Sequence, residues 1–409
     1  MNIYLVGGAV RDKLLNIESV DNDWVVVGAT SEQMLNEGYV QVGKDFPVFL
    51  HPETKEEYAL ARTERKQGKG YTGFDTRFSP DITIEEDLIR RDLTINAMAM
   101  KGDELVDPYG GQSDLSQKLL RHVSDAFVED PLRVLRVARF KARYHHLGFE
   151  IANETMSLLK DIVASDELAE LPAERIWTET CKALNETSPQ EYFTALRSCQ
   201  ALAKVFGEID ALFGVPQREE FHPEVDTGIH TMMVLDQAVK LGGSVEARFA
   251  ALVHDLGKAK TEQDVLPRHI GHEKKSLPLI RSLCKRLKIP NYFEKLALLV
   301  AEYHTHCHQA LSLKPSTVLK LLESLDVFRR PTIFDDFLLA CEADARGRLG
   351  FEDKSYPQAD YLRKIVNSLQ QISVQEIIQS GKKGGEISLA LSKQRMAMIK
   401  TIKLEAEKK

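Results

Sequence analysis

The chain has 409 residues, 43% of them hydrophobic and 28% charged. At roughly 150 residues per domain this allows two to four domains with real cores, and it excludes a disordered or fibrous protein. The net charge of −7 excludes a protein that coats nucleic acid by bulk basicity, so any nucleic-acid contact falls to local patches.

No apolar run approaches the roughly 20 residues that span a bilayer, so no membrane role is expected. Arg11 and Asp12 come too early for a secretory leader. The five cysteines form no CxxC pair and read as reduced thiols, so the expected location is cytoplasmic.

In chain order, Ile3 to Val6 predicts a short strand, Gly7-Gly8 a tight turn and Ala9 to Leu15 a helix start. Trp24 to Val27 carries three valines, the pattern of a strand buried on both faces. Pro47 to Leu50 and Tyr58 to Arg62 are strand candidates flanking a Pro52–Lys55 turn. Lys66 to Thr83, rich in Gly, Thr, Asp and Pro, predicts a mobile loop. From Glu85 onward the spacing of apolar residues predicts helices throughout, among them Glu129 to Arg143, Pro172 to Leu184 and Thr231 to Leu241. Phe206 to Asp226, with Gly214, Pro216 and Pro223, is the expected domain boundary, and a lysine-rich helix is expected after Gly384-Gly385. The predicted plan is a small α/β head followed by two all-α regions.

Asp21 and Asp23 stand two apart at the start of the Trp24–Val27 strand, where period two puts both side chains on one face. Two carboxylates so placed can hold the Mg²⁺ ions of a nucleotidyl-transfer site, although Asp-Asn-Asp standing alone is more commonly turn chemistry. Upstream, Gly7 and Gly8 let backbone amides approach phosphate oxygens at a helix N-terminus, and Arg11 lies on the first turn of that helix. In EDPLRVLRVARF, Asp130 and Arg133 are expected to share a helix face that Arg136 and Arg139 continue. A carboxylate beside a guanidinium can imitate a Watson–Crick edge, accepting from cytosine N4 or adenine N6 and donating to the ring. Spacing alone favours a basic helix face toward solvent or RNA.

GGAVRDKLL followed by DNDWVVVG, then ARTERK with GYTGF, RRDLTINAMA and EDPLRVLRVARF, resembles the class II tRNA nucleotidyltransferases, the CCA-adding enzymes of the polymerase-β-like superfamily. The resemblance runs along the whole chain and is closest to the bacterial multifunctional form. It implies a polymerase-β-like α/β nucleotidyltransferase head, an all-α neck and body, and an all-α HD domain, divided as 1–140, 141–222, 223–350 and a helical tail 351–409. It implies Arg91 and Asp92, on a predicted helix, at the ribose and triphosphate, and Asn96 fixing the neighbouring loop. Gly8, Arg11, Asp130, Arg133, Arg136 and Arg139 complete the expected nucleotide site. The expected partners are tRNA, CTP and ATP, and the expected state is a monomer or weak homo-oligomer.

Further on, His230 begins a helix, His254-Asp255 ends the apolar helix ARFAALVHDLGK, His272 follows a loop, His304 ends LALLVAEYH and Asp344 sits in CEADARGR. This order resembles the HD phosphohydrolases, whose metal pattern is His, His-Asp and a distant Asp. Ligands of mixed N and O type suit Ni²⁺, Mn²⁺ or Co²⁺, with Ni²⁺ the expected ion. Of the group His304, His306, Cys307 and His308, only His304 is expected to serve, because the spacing is poor for one metal. Thr305 stands where the bacterial relatives carry an Asp.

The expected function is CTP- and ATP-dependent completion of the tRNA 3′ end with release of pyrophosphate. The resemblance adds phosphatase, 2′-nucleotidase and 2′,3′-cyclic phosphodiesterase activities. The alternatives are a bacterial poly(A) polymerase, an HD nucleotide hydrolase with a regulatory head, and an RNA-binding module without catalysis.

Overall fold

The computed structural model describes residues 1–18, 22–42, 47–66 and 74–407. The chain folds as two units, Met1–Val205 and Phe206–Lys409, and the division falls at the start of the expected Phe206–Asp226 boundary.

The first unit opens with β1 (Asn2–Val6), α1 (Gly8–Leu14), β2 (Asp23–Val27), α2 (Ser31–Asn36), β3 (Val40–Val42), β4 (Val48–Leu50) and β5 (Glu57–Leu60). Then come β6 (Arg62–Lys66), β7 (Phe74–Phe78), α3 (Ile84–Leu88), β8 (Ala99–Lys101), β9 (Glu104–Val106) and α4 (Gly111–Gln117). Seven strands form one sheet in the order β3-β4-β5-β2-β1-β8-β9, with β2 antiparallel to β1 and parallel to β5. The valine run explains the sheet's central position. Successive side chains of a strand point to opposite faces, so Val25 enters a cluster with Val6, Leu88 and Ala99, while Val26 enters another with Met34, Phe49 and Leu60. The register sets Val6 beside Asp23, which brings the β1–α1 turn next to the first carboxylate of β2.

Two expectations are corrected here. Phe74–Phe78 is not loop but a strand paired antiparallel with Arg62–Lys66; residues 67–73 of the expected loop lie outside the described residues. Nor does the chain stay helical after Glu85, because β8 and β9 return to the sheet and Ala99 pairs with Val6. Ala97 and Met98, just before β8, and Ala99 within it are fully buried, and so apolar a run reads as a helix by composition.

The first unit closes with α5 (Leu132–Tyr144), α6 (Asn153–Ala164), α7 (Ala173–Asn185), α8 (Gln190–Ser198) and α9 (Ala201–Val205). Val134, Leu135, Val137 and Ala138 bury one side of α5, which packs on α7 and α8.

The second unit is all-α. It comprises α10 (Gly207–Asp210), α11 (Thr227–Lys240), α12 (Val245–Val253), α13 (His272–Arg286), α14 (Asn291–His308), α15 (Pro315–Ser324), α16 (Pro331–Arg346), α17 (Pro357–Leu369), α18 (Val374–Gln379) and α19 (Gly385–Ala406). Helices α11, α12, α14 and α16 pack together, with α13 against α14. The expected terminal helix is α19, which lies on α15, α17 and α18. Among the described residues no helix is long and apolar enough to cross a membrane.

Candidate active sites

The turn from β1 into α1 is built on Gly7, whose φ of 67° and ψ of −124° lie where only glycine is comfortable. A Cβ on Gly7 would also stand 2.6 Å from Arg91 Nη1, so the turn needs glycine for space as well as for dihedrals. Around this turn lies a cavity of about 530 Å³. Among the described residues lining it are nine arginines and three aspartates, Asp23, Asp92 and Asp130. So lopsided a balance selects a polyanion.

The structure brings Gly8, Arg11, Asp23, Arg91, Asp92, Asp130, Arg133, Arg136 and Arg139 to this one cavity; Asp21 lies outside the described residues. Arg11 is buried and immobilised. Its Nε donates to Asp12 Oδ1 at 2.8 Å, it donates to the Asn96 side-chain oxygen, and its guanidinium lies 5.4 Å from the centre of the Phe140 ring. Asp12 in turn accepts from Tyr144 Oη (3.1 Å) and Arg143 (3.2 Å). Asp92 accepts from Arg136 at 2.7 Å, from the Asn96 side chain at 2.9 Å and from the Leu93 amide at 2.8 Å. Burial alone would raise its carboxyl, but Arg136 and these donors bring it down to about 2. Arg139 is held by Glu179 (2.7 Å) and Glu186 (3.5 Å) of the α7 region.

Two local expectations change. Arg91 and Asp92 are not on a helix but in the irregular turn after α3, where Asp87 pairs with Arg90 at 3.0 Å and Arg91 at 3.5 Å. Nor does Asp130 share a helix face with Arg133. It is extended, precedes α5, and accepts from the Leu132 amide at 3.1 Å, in the manner of a residue satisfying an orphan helix donor. Its other oxygen pairs with Arg175 of α7 at 3.1 Å, while Arg133 donates to the carbonyls of Ala126 (3.0 Å) and Arg90 (2.5 Å). Asp12, Asp87 and Arg175 escaped the sequence reading. Asp12 and Asp87 stand within or beside the motifs, but Arg175 lies 45 positions from its partner and carries no local signal.

In the second unit, His230, His254, Asp255, His272, His304 and Asp344 converge in a buried cluster. Subsets of three, such as His254, His304 and Asp344, place their donor atoms within 4.8 Å of one another. Each histidine has one ring nitrogen against a backbone carbonyl: His230 on Gly347 (2.9 Å), His254 on Ala251 (2.7 Å), His272 on His269 (2.6 Å) and His304 on Val300 (3.1 Å). Those contacts make Nδ1 a donor to the backbone and turn Nε2 inward, where it can meet a metal once any proton on it is displaced. The residues fit a metal ion on a further observation: His254 Nε2 and Asp255 Oδ1 are buried without a hydrogen-bond partner. Buried polar atoms without a partner are costly, and a cation between them would satisfy both. Burial opposes charge on His254, yet Asp255 and Asp344 overcome it and raise the imidazolium to about 10, while burial lowers His304 to about 3. A site that draws a proton to its centre will draw a divalent cation in its place.

His304 does not end its helix; α14 continues to His308, one turn further, whose Nε2 lies 2.7 Å from Asp344 Oδ2. The four-residue spacing of His304 and His308 was the signal for this second contributor. Lys258, whose Nζ is 2.7 Å from Asp255 and 2.6 Å from Gln217 Oε1, was also missed. Thr305 donates to Glu273 at 3.0 Å.

Residues 3–121 match the family described as Poly A polymerase head domain, 148–213 the probable RNA and SrmB-binding site of polymerase A, and 227–328 the HD domain. The Multifunctional CCA protein of Hahella chejuensis is 57% identical over 404 residues, 98% of this chain and 96% of that one. That of Actinobacillus pleuropneumoniae is also 57% identical, over 98% of this chain and 99% of its own. Among solved structures, a CCA-adding enzyme in an apo form aligns over 99% of this chain and 90% of its own with a TM-score of 0.68 at 22% identity. The Thermotoga maritima CCA-adding enzyme complexed with tRNA aligns over 99% of this chain and 91% of its own with a TM-score of 0.63 at 20% identity, and both show the shared fold. Full-length identity at this level, over a polyanion cavity in the head and a histidine–aspartate cluster in the HD domain, places the chain in the multifunctional CCA protein family, divalent-metal-dependent CCA-adding nucleotidyltransferases with an HD hydrolase domain.

Proposed function

We propose that the head cavity adds cytidylate and adenylate to the 3′ end of tRNA from CTP and ATP, and that the histidine–aspartate cluster hydrolyses phosphoesters. The observation that carries the first activity is the concentration of nine arginines and three aspartates around the Gly7–Gly8 turn. Asp23 brings a solvent-exposed carboxylate to that cavity, the hard oxygen donor that Mg²⁺ takes, and Asp21 would be its companion. Mg²⁺ there supplies charge neutralisation for the triphosphate and a more acidic 3′-hydroxyl. The chain's own residues do the rest. Arg11 and Arg91 bind triphosphate oxygens, and the salt-bridged Asp92 addresses the ribose. The attacking 3′-oxygen bonds to the α-phosphorus as the bond to pyrophosphate breaks. Asp130 accepts from cytosine N4 or adenine N6, and Arg133, braced on two carbonyls, donates to the ring. Guanine and uracil present the opposite groups and leave buried partners unsatisfied, so choice needs no nucleic-acid template.

In the HD domain His230, His254, Asp255, His304 and Asp344, with His272 beside them, would hold the metal. A transition ion, Ni²⁺ by the imidazole-rich donor set, supplies a Lewis acid that makes water reactive toward phosphorus at neutral pH. A poly(A) polymerase shares the head but not the HD cluster, and would use ATP alone.

The test is incubation of the full chain with tRNA lacking its terminus and each labelled nucleotide singly and in pairs. Incorporation of C, then A only after C, is expected; Asp23→Ala removes both while phosphoester hydrolysis persists. Repeated A addition without CTP would overturn the reading.

A further inference from the structure

His230 lies on the first turn of α11, and the chain leading into that helix is tightly held. Asp226 caps it, with Oδ1 accepting from the Ile229 amide at 2.9 Å and Oδ2 from the Gly214 amide at 2.6 Å. Val225, one position earlier, has a φ of 59°, a left-handed conformation that a β-branched residue keeps only under constraint. Its carbonyl accepts from the Gln217 amide at 2.6 Å, and its amide donates to the His222 carbonyl at 2.9 Å. These constraints fix Glu224, whose side chain is only 3% exposed.

Glu224 Oε1 stands 3.0 Å from His230 Nδ1 and accepts from His222 Nδ1 at 3.1 Å, and Oε2 accepts from the Leu349 amide at 3.4 Å. The His222 and His230 rings meet edge to face with centres 4.6 Å apart. His230 Nδ1 therefore shares its proton between the carboxylate and the Gly347 carbonyl, while Nε2 lies 3.0 Å from Asp344. His254, His272 and His304 rest Nδ1 on backbone carbonyls. Glu273, 3.6 Å from His272 Nδ1, is beyond hydrogen-bond distance. The Gly347 carbonyl alone would satisfy the His230 Nδ1 hydrogen. What Glu224 adds is negative charge, which favours a ring whose other nitrogen donates to a cation.

We propose that Glu224 is a positioning residue of the histidine–aspartate centre, fixing the His230 ring and making its Nε2 a stronger donor to the metal ion. The inference rests on the metal-binding reading of the cluster. Burying a carboxylate is costly unless it is matched, and His222, the Leu349 amide and a metal-bound His230 together match it.

The test is titration of the metal-free full chain with Ni²⁺ alone, by calorimetry, in the parent, Glu224→Gln and Glu224→Asp. Glutamine keeps the size and an accepting oxygen but removes the charge, whereas aspartate keeps the charge one methylene further back. Glu224→Gln should weaken Ni²⁺ binding by roughly 10- to 100-fold, the scale for losing an outer partner of a ligating histidine. Glu224→Asp should fall between that variant and the parent. The visible absorption of bound Co²⁺ should change in Glu224→Gln, because the ring's donor strength changes. Excess Ni²⁺ should restore phosphoester hydrolysis to Glu224→Gln but not to His230→Ala, which lacks the ligand itself. Thermal unfolding in EDTA separates these effects from a loss of fold, since a residue that only braces the loop would lower that midpoint and leave affinity alone. Ni²⁺ affinity in Glu224→Gln within about twofold of the parent, or no tighter binding in Glu224→Asp than in Glu224→Gln, would overturn the proposal. A parent chain that binds neither Ni²⁺ nor Co²⁺ would instead overturn the reading beneath it.

Discussion

Asp130 stands just outside the N-terminal turn of α5, with one oxygen on the Leu132 amide and the other on Arg175. A carboxylate so constrained presents its acceptors in one direction, which is what discrimination between bases requires. Asp130→Ala should therefore slow use of CTP and ATP and raise relative use of UTP and GTP by about 5- to 150-fold, the span of one good base contact. Competition assays with all four nucleotides measure it. Asp92 gives a stability prediction. Its carboxyl, at about 2 in the fold, lies below the ordinary aspartate range, so its contribution is complete above about pH 4 and is lost as pH falls through 2. That contribution is at most roughly 2 kcal/mol, since Arg136 keeps about a third of its side chain in water. Denaturant unfolding should show Asp92→Asn less stable than the parent by up to that amount at pH 7, with the gap narrowing between pH 4 and pH 2. At this scale the sequence was legible where residues lie within one motif, as with Arg11, Arg91 and Asp92. It was silent where partners come from distant segments: nothing near Arg175 announces Asp130, and nothing near Lys258 announces Gln217.

The HD cluster depends on how closely its supporting elements approach. Gly257, in the short turn after His254-Asp255, packs so tightly on α13 that a Cβ there would collide with the His272 carbonyl and stand 2.6 Å from the Ser276 amide. Its own amide donates to Ser276 Oγ at 2.8 Å. Gly257→Ala should push α13, and His272 with it, away from Asp255, lowering metal affinity by about 10- to 100-fold without removing a ligand, the scale seen when supporting groups of a metal site are lost. Equilibrium dialysis with Ni²⁺ checks this, and circular dichroism confirms that the helices persist. Element boundaries were readable where periodicity and punctuation agree: the valine run of β2, the Pro-started helices and the terminal α19 all follow from pattern. The strands β7 and β8 were not. Phe74–Phe78 has three polar residues in a row, Asp75 to Arg77, in a Gly-rich neighbourhood, and Ala97 to Met100 alternates Ala and Met, both helix formers, so only their sheet partners decide their conformation.

Across the whole chain, a cavity lined by arginine belongs to the first unit and a histidine–aspartate cluster to the second, and the boundary between the units falls between Val205 and Phe206. The two kinds of site were legible as separate because their residue types differ and their motifs occupy different stretches of sequence. The size of the second site was underestimated, since His308 was set aside on spacing that is poor for consecutive ligands but apt for one helix face. The two sites are built from different residues and should therefore fail separately. His254→Ala removes an inward Nε2 beside Asp255 and Asp344 while leaving every residue of the head cavity in place. One preparation of that variant, folded by circular dichroism, should be assayed for 2′,3′-cyclic AMP hydrolysis with added Ni²⁺ and for CCA addition to tRNA with Mg²⁺. Hydrolysis should disappear and addition should continue at close to the parent rate. Surviving hydrolysis, or the loss of both activities together in the folded protein, would contradict it.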